Sequence, residues 1–221
     1  MQFLIFAIQH DWLVLLPIVL CSILTVAVAI ERYYFYNRNK RDIVQFISRL
    51  QRELERGQLE NAQILSAQLG GIVGEVAEEG IRVLAEQKES FDRSFDITTT
   101  LATRKLLRLL PVLATIATVT PYLGLFATVI RILLTFGELA QQGGAAGAPQ
   151  IMSGIAAALI ATAFGLGIAI VSVALNNYFQ TIVNRYEDDF QLLKLLFLSY
   201  VDRHEQTAGA SAAYAQERRF S

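Results

Sequence analysis

The chain has 221 residues, of which 53% are hydrophobic and only 18% are charged, and its mean hydropathy is +0.40. A soluble domain usually carries about a quarter charged residues, and here the charges are crowded into some stretches and almost absent from others. This segregation is typical of a membrane protein with polar parts outside the bilayer. The net charge of −1 argues against nucleic acid as a partner.

Motifs for catalysis and metal binding are missing from the sequence. The single Cys21 cannot form an internal disulfide, and His10 and His204 are far apart, so we expect no metal site. There is no P-loop, no dinucleotide-binding glycine turn and no nucleophile elbow. We therefore expect no catalytic residues and no cofactor, and a membrane enzyme is the least favoured function.

The first apolar run covers residues 12–30 and contains 19 residues without a charge. About 20 apolar residues in a helix cross the hydrocarbon layer, so this run can span a membrane. A cleaved signal peptide is the alternative, because Ala27-Val28-Ala29 resembles a cleavage site. However, no Lys or Arg precedes the run and Asp11 stands where a positive charge belongs, which favours a retained helix.

Two further apolar runs cover residues 109–136, interrupted only by Arg131, and residues 151–179, which carry no charge. As straight helices each would be about 42 Å long. The hydrocarbon core is only about 30 Å thick, so we expect both helices to continue beyond the bilayer.

The placement of Lys and Arg predicts the orientation of the spans. Residues 1–11 and 137–150 contain none, whereas residues 31–108 contain 13 and the part after residue 179 contains five. Positive charges are enriched on the cytoplasmic side of spans. The pattern therefore predicts a periplasmic N-terminus, with residues 31–108 and the C-terminus in the cytoplasm.

The polar segments are predicted to be helical and to belong to one domain, residues 1–221. Residues 31–108 contain no proline and have apolar residues at helical spacing, with breaks expected at Gly57 and Gly70-Gly71. Residues 180–206 have the same periodicity, so we expect a cytoplasmic helical bundle. We expect a short flexible turn at residues 137–150 and disorder at residues 207–221. The predicted class is all-α with three transmembrane helices.

The second and third spans carry stripes of small and hydroxyl residues. On a helical wheel, the residues that fall within about 60° of Thr128 are Ala114, Ala117, Pro121, Gly124, Arg131 and Thr135. The third span has a comparable stripe made of Gly154, Ala158, Ala161, Thr162, Gly165 and Ala169. Such stripes favour close helix packing, or they present hydroxyls to water.

The sequence around these stripes resembles a known family. Residues 120–136, TPYLGLFATVIRILLTF, are similar to the signature APxLGLLGTVxGxxxxF of the ExbB/TolQ/MotA proton channels. Residues 155–177, IAAALIATAFGLGIAIVSVALNN, are similar to that family's IAxALxxTAxGLxxAIPAxxxYN. The two matches lie on consecutive spans in the family's order, and the resemblance is closest across residues 109–179.

The resemblance implies a homopentamer in the bacterial inner membrane whose second and third spans line a central pore. It implies a partner inside that pore, a dimer of an ExbD/TolR-like single-span protein with a titrating Asp. It also implies that the complex supplies energy to a TonB- or TolA-like protein. Thr128 and Thr162 match the family's pore threonines, and Pro121 matches its helix-bending proline. Gly124, Thr135 and Gly165 complete the predicted pathway. A non-conducting membrane scaffold is the alternative function.

The chain departs from the family pattern at three positions. Arg131 replaces a glycine, Val171 replaces a proline, and Ala157 stands where many relatives have a glutamate. No Asp or Glu lies inside any span; Glu31 and Glu138 lie at the edges. A proton path through a bilayer needs an ionisable group, so a conducting form of this chain must take its carboxylate from another chain.

Arg131 has two interpretations. Its side chain can extend to the periplasmic interface, near Glu138, while its stem stays in the apolar region. Alternatively it lies at the outer mouth of the pore, where its charge pairs with the partner's carboxylate, lowers the pKa of that group, or repels cations in the resting state.

Overall fold

The computed structural model describes residues 12–40, 42–86, 90–141 and 148–220, and these residues form seven α-helices and no strand. The predicted all-α class is confirmed. In chain order the helices are α1 (Trp12–Asn39), α2 (Ile43–Glu55), α3 (Leu59–Leu69), α4 (Gly71–Glu86), α5 (Phe91–Leu107), α6 (Leu110–Gln141) and α7 (Ala148–Phe220).

Three of these helices, α1, α6 and α7, are long and apolar enough to cross a membrane. Only 22–28% of the residues in their most apolar stretches are buried within the chain, so most of the apolar side chains face outward. Examples with more than half of their surface exposed are Leu20, Ile23, Phe126, Leu133, Leu159 and Ile170. A protein in water does not expose apolar surface on this scale. The three predicted spans therefore belong to a membrane protein.

The helices extend further than the sequence predicts. α6 ends at Gln141 and α7 begins at Ala148, so only residues 142–147 of the turn expected at 137–150 lie outside the described residues. α7 continues without a break from the third span through residues 180–206 and on to Phe220. We expected disorder at residues 207–221, whereas the structure is helical up to Phe220. Alanine is frequent in this stretch, and alanine has the highest helix propensity.

Glycines separate the short helices at the predicted places. Gly57, Gly70 and Gly71 have φ angles of 71°, 61° and 67°, a backbone region that side chains with a Cβ rarely adopt. Gly57 lies between α2 and α3, Gly70 lies between α3 and α4, and Gly71 is the first residue of α4, which confirms the predicted breaks. α5 and α6 are separated just before Pro111, whose missing amide hydrogen is harmless in the first turn of a helix.

The chain divides into two compact units. The three-span unit comprises residues Met1–Tyr34 and Leu109–Gln180, and the bundle unit comprises residues Phe35–Arg108 and Thr181–Ser221. In the three-span unit, Ile18 of α1, Ala127 of α6 and Ala161 of α7 form a buried cluster. Each of the three long apolar helices therefore contributes to one small core.

The three-span unit is held together most closely where α6 meets α7. A Cβ atom built on Gly165 would lie 2.9 Å from the carbonyl oxygen of Thr120 and 3.0 Å from the Cα of Gly124. Both neighbours are backbone atoms, which cannot move aside as a side chain can. Glycine at position 165 is therefore required for the observed distance between the two helices, as expected for small-residue packing in a membrane.

The bundle unit has an aromatic core. The ring centroids of Phe91 and Phe95 are 5.3 Å apart, and the ring of Phe197 on α7 lies 5.8 Å and 5.6 Å from them in edge-to-face contacts. Gly80 of α4 leaves room for these rings, since a Cβ there would lie 2.7 Å from the Phe197 ring. The buried Tyr36 hydroxyl donates to the carbonyl of Leu106 at 2.9 Å.

Charged groups lie on the surface of the bundle unit. Lys194 of α7 lies 2.8 Å from Asp92 and 2.7 Å from Asp96 of α5, and its hydrogen bonds to both carboxylates raise the pKa of its ammonium group. The partial burial of Asp189 on α7, together with the neighbouring charge of Asp188, raises the pKa of its carboxyl group.

Replacing Gly165 with alanine is expected to lower the stability of the purified protein by about 1–3 kcal/mol, because the new methyl group overlaps backbone atoms of α6. Gly167→Ala is the matched control, since no atom lies within 4 Å of a Cβ at that position. Thermal unfolding in detergent, followed by circular dichroism, measures both. Equal melting temperatures for the two variants would contradict the packing described here.

Asp189→Asn is expected to raise stability at pH 7 by a small amount, within about 1 kcal/mol. Because the pKa of Asp189 is higher in the folded state, folding favours the protonated acid. The stabilisation of the fold by this group is therefore fully present below the ordinary pKa of 3.8 and is lost as the pH rises. At pH 7 the ionised group therefore opposes folding, and the neutral amide removes that cost. Asp188→Asn relieves only the repulsion and should have a smaller effect. A loss of stability at pH 7 in Asp189→Asn, measured by the same unfolding assay, would be the opposite of this expectation.

Candidate functional site

Two threonines face each other where α6 crosses α7. The Oγ1 atoms of Thr128 and Thr162 are hydrogen-bonded to one another. Thr128 Oγ1 also lies 3.1 Å from the carbonyl oxygen of Ala158 on the opposite helix, and Thr162 Oγ1 lies 3.0 Å from that of Gly124. Both threonines are half-buried. The structure thus brings together the two residues that sequence similarity assigns to a pore.

The threonine pair has more acceptors than hydrogens. Each hydroxyl carries one hydrogen and can accept two. Thr128 can donate to Gly124 of its own helix at 3.1 Å, to Ala158, or to Thr162, and Thr162 can donate to Gly124 or to Thr128. The two hydrogens therefore have several arrangements at the same atomic positions. Such a cluster can reorient its donors without moving a helix.

Glycine at position 124 makes this contact possible. A Cβ atom there would lie 3.1 Å from the Cα of Thr162 and 3.4 Å from the Cα of Gly165. Without side chains between the helices, the carbonyl of Gly124 is within reach of hydroxyls from both helices. Of the predicted pathway residues, Thr128, Thr162, Gly124 and Gly165 therefore form one site.

Thr135 and Arg131 lie further along the same buried face of α6, toward its C-terminal end. Thr135 Oγ1 donates to the carbonyl of Arg131 at 2.9 Å, and the Thr135 side chain packs directly against Gly154 of α7. Only 7% of the surface of Arg131 is exposed. Its side chain thus lies inside the three-span unit, whereas Glu138, suggested as a neighbour, is exposed.

Pro121 is half-buried within α6. Because proline has no amide hydrogen, the usual helical bond to the carbonyl of Ala117 cannot form. Thr120, next to it, donates its hydroxyl to the carbonyl of Ile116 at 2.6 Å and is fully buried. The proline therefore weakens the helix locally, one turn before Gly124.

A second hydroxyl contact, which was not predicted from the sequence, joins α1 to α7. Thr25 Oγ1 lies 3.0 Å from Ser172 Oγ, and both residues are buried, at 3% and 0% exposure. Thr25 also lies 2.9 Å from the carbonyl of Cys21. The signal available in the sequence was a hydroxyl residue in each of two otherwise apolar spans, which can indicate a contact between them. This contact fixes α1 against α7 and lies on a different face from the threonine pair.

Acidic groups are absent from the three spans, residues 12–30, 109–136 and 151–179. Just after the first span, Glu31 pairs with the buried Arg32, and the second oxygen of Glu31 accepts from Arg32 Nη2 at 2.7 Å. Within the described residues no group of His, Cys, Asp or Glu is arranged to hold a metal ion. The site can therefore solvate or pass a proton through hydroxyls, but it has no group that becomes charged by titration.

Comparison with known proteins identifies a matching family and several similar sequences. Residues 68–192, more than half of the chain, match the model of the MotA/TolQ/ExbB proton channel family. A "Biopolymer transport protein ExbB" of Aquifex aeolicus is 44% identical over 75 residues, 34% of this chain and 50% of that protein. A "Tol-Pal system protein TolQ" of Haemophilus influenzae is 46% identical over 81 residues, 36% of this chain and 35% of that protein.

A longer match is weaker in identity. A "Putative biopolymer transport protein ExbB-like 3" of Synechocystis is 24% identical over 212 residues, which cover 90% of this chain and 98% of that protein. The stronger matches span half or less of the ExbB and TolQ relatives. The family model includes α6, the threonine pair and the whole third span. The chain therefore belongs to the MotA/TolQ/ExbB proton channel family.

Proposed function

We propose that this chain is the channel-forming subunit of a motor in the bacterial inner membrane that is driven by the proton-motive force. In this proposal it energises TonB- or Tol-type transport together with an ExbD/TolR-like partner. Two relatives support the transport role, since their names are those of biopolymer transport and Tol-Pal system proteins.

One observation carries the proposal: a hydroxyl cluster bridges two spans that contain no carboxylate. Hydroxyls can relay a proton but cannot store one as a charge at neutral pH. A partner helix that brings an aspartate to Thr128 and Thr162 would supply the missing titrating group. Gly124, Gly165, Thr135 and Pro121 then shape the wall of the pathway, and Arg131 lies toward its outer end.

The proposed assembly is a homopentamer around a pore that encloses a dimer of the partner's single span. The outward-facing apolar side chains of α1, α6 and α7 suit contacts with lipid and with neighbouring subunits. In this arrangement the N-terminus lies in the periplasm. The bundle unit and the C-terminus lie in the cytoplasm, where 18 of the 19 Lys and Arg residues are expected.

A non-conducting scaffold is the second candidate function. The close glycine packing between α6 and α7 supports it, because the same small-residue stripe is explained by helix association alone. The two functions differ in what the threonine hydroxyls do, since a scaffold needs the shape of these side chains and a channel needs their hydrogens.

Thr128→Val and Thr162→Val are expected to reduce partner-dependent proton flux by about tenfold or more, because valine keeps the shape and removes the relay. Thr115→Val is the matched control. Thr115 is an exposed threonine about 140° around the same helix, and its hydroxyl donates to the carbonyl of Pro111. Flux is measured with a trapped pH dye in vesicles containing the chain and its partner. Native proton flux in all three variants would show that Thr128 and Thr162 are not part of the proton pathway.

The experiment that tests the proposed function compares vesicles containing the chain alone with vesicles containing the chain and its partner. We expect proton flux only with the partner, and native mass spectrometry of the complex should count five copies of this chain and two of the partner. A stable complex without flux in either preparation would favour the scaffold. Flux through the chain alone would show that the carboxylate is not needed.

A further inference from the structure

Arg131 is the one charged residue within the three spans. An arginine guanidinium keeps its positive charge throughout the physiological pH range. Only 7% of its surface is exposed, so this charge is held within protein rather than in water. A charge at such a position is costly unless other groups compensate it, and charged residues inside spans are therefore usually functional.

The position of Arg131 relates it to the threonine pair. It lies three residues after Thr128 on α6, a rise of about 4.5 Å along the helix. Ala127, on the same face, packs between Ile18 of α1 and Ala161 of α7. Thr135, one turn further on, packs against Gly154 of α7. Arg131 is thus a buried residue on the face of α6 that packs against α7, one turn from the hydroxyl cluster.

The helices packed around Arg131 offer few other titratable groups. In the spans, α1 contributes only the half-buried Cys21, and α7 contributes no Asp, Glu, Lys, Arg or His. On α6 the nearest carboxylate in sequence is Glu138, which is exposed. His10 and Asp11, before α1, lie outside the described residues. Within the predicted spans, Arg131 is therefore the charged residue that lies beside the threonine pair.

We propose that Arg131 is a fixed positive charge that sets the pH range in which the partner's carboxylate is protonated. This inference rests on the proposed function, since it needs a carboxylate to enter the pathway. A nearby positive charge favours the ionised form of a carboxylate, and it does so strongly where water is scarce. The partner's aspartate then takes up a proton only at a lower outer pH than it would without Arg131.

The test measures how proton flux depends on outer pH. Flux is recorded in vesicles containing the chain and its partner, with the inner pH held constant. Arg131→Gln and Arg131→Met remove the charge and keep a long side chain, so that one variant serves if the other does not assemble. Arg131→Lys keeps the charge. Arg32→Gln is the matched control, because Arg32 is also a buried arginine (2% exposed), located at the opposite end of the spans.

We expect the half-maximal outer pH to rise by about one unit in the two neutral variants, since a positive charge no longer opposes protonation. Arg131→Lys and Arg32→Gln should keep the native midpoint. An unchanged midpoint in an assembled neutral variant, beside normal native flux, would overturn the inference and leave the proposed function intact. The absence of partner-dependent flux in the native complex would refute the proposed function, and the inference with it.

Discussion

The close approach of α6 and α7 is the constraint on which the site depends. Gly124 and Gly165 remove the side chains that would hold the helices apart, and the distances to backbone atoms leave no room for a methyl group. Because the backbones are this close, Thr128 and Thr162 reach each other and the carbonyls of the opposite helix. The glycines that allow the two helices to pack closely therefore also expose the backbone carbonyl oxygens that accept hydrogen bonds from the threonine hydroxyls.

This arrangement separates two tasks that many proton carriers combine in one chain. The threonines and carbonyls form a neutral surface whose hydrogen bonds can be rearranged, and Arg131 adds a buried positive charge. The hydroxyls cannot store a proton as a charge at neutral pH. In the proposed function the titrating group therefore comes from a second chain, an ExbD/TolR-like partner. In that proposal this subunit forms the wall around the titrating group, and Arg131 influences the charge of that group.

Much of the fold follows from the sequence because membrane helices are specified by local composition. The three spans, the all-helical class and the breaks at Gly57 and Gly70-Gly71 need only hydropathy and backbone preference. The contacts between helices need relative rotation and depth, which composition does not give. Thr25 and Ser172 are ordinary residues in apolar runs until α1 packs on α7. The burial of Arg131 likewise depends on how the helices pack against one another.

The central claim is that the titrating carboxylate belongs to the partner and not to this chain. Infrared difference spectra of the reconstituted complex, recorded as the outer pH is lowered, detect the carboxyl group that becomes protonated within the membrane. Labelling one chain at a time with carbon-13 identifies its owner, because the heavier isotope shifts the band. The account predicts that the band shifts only when the partner is labelled. A shift on labelling this chain would contradict it.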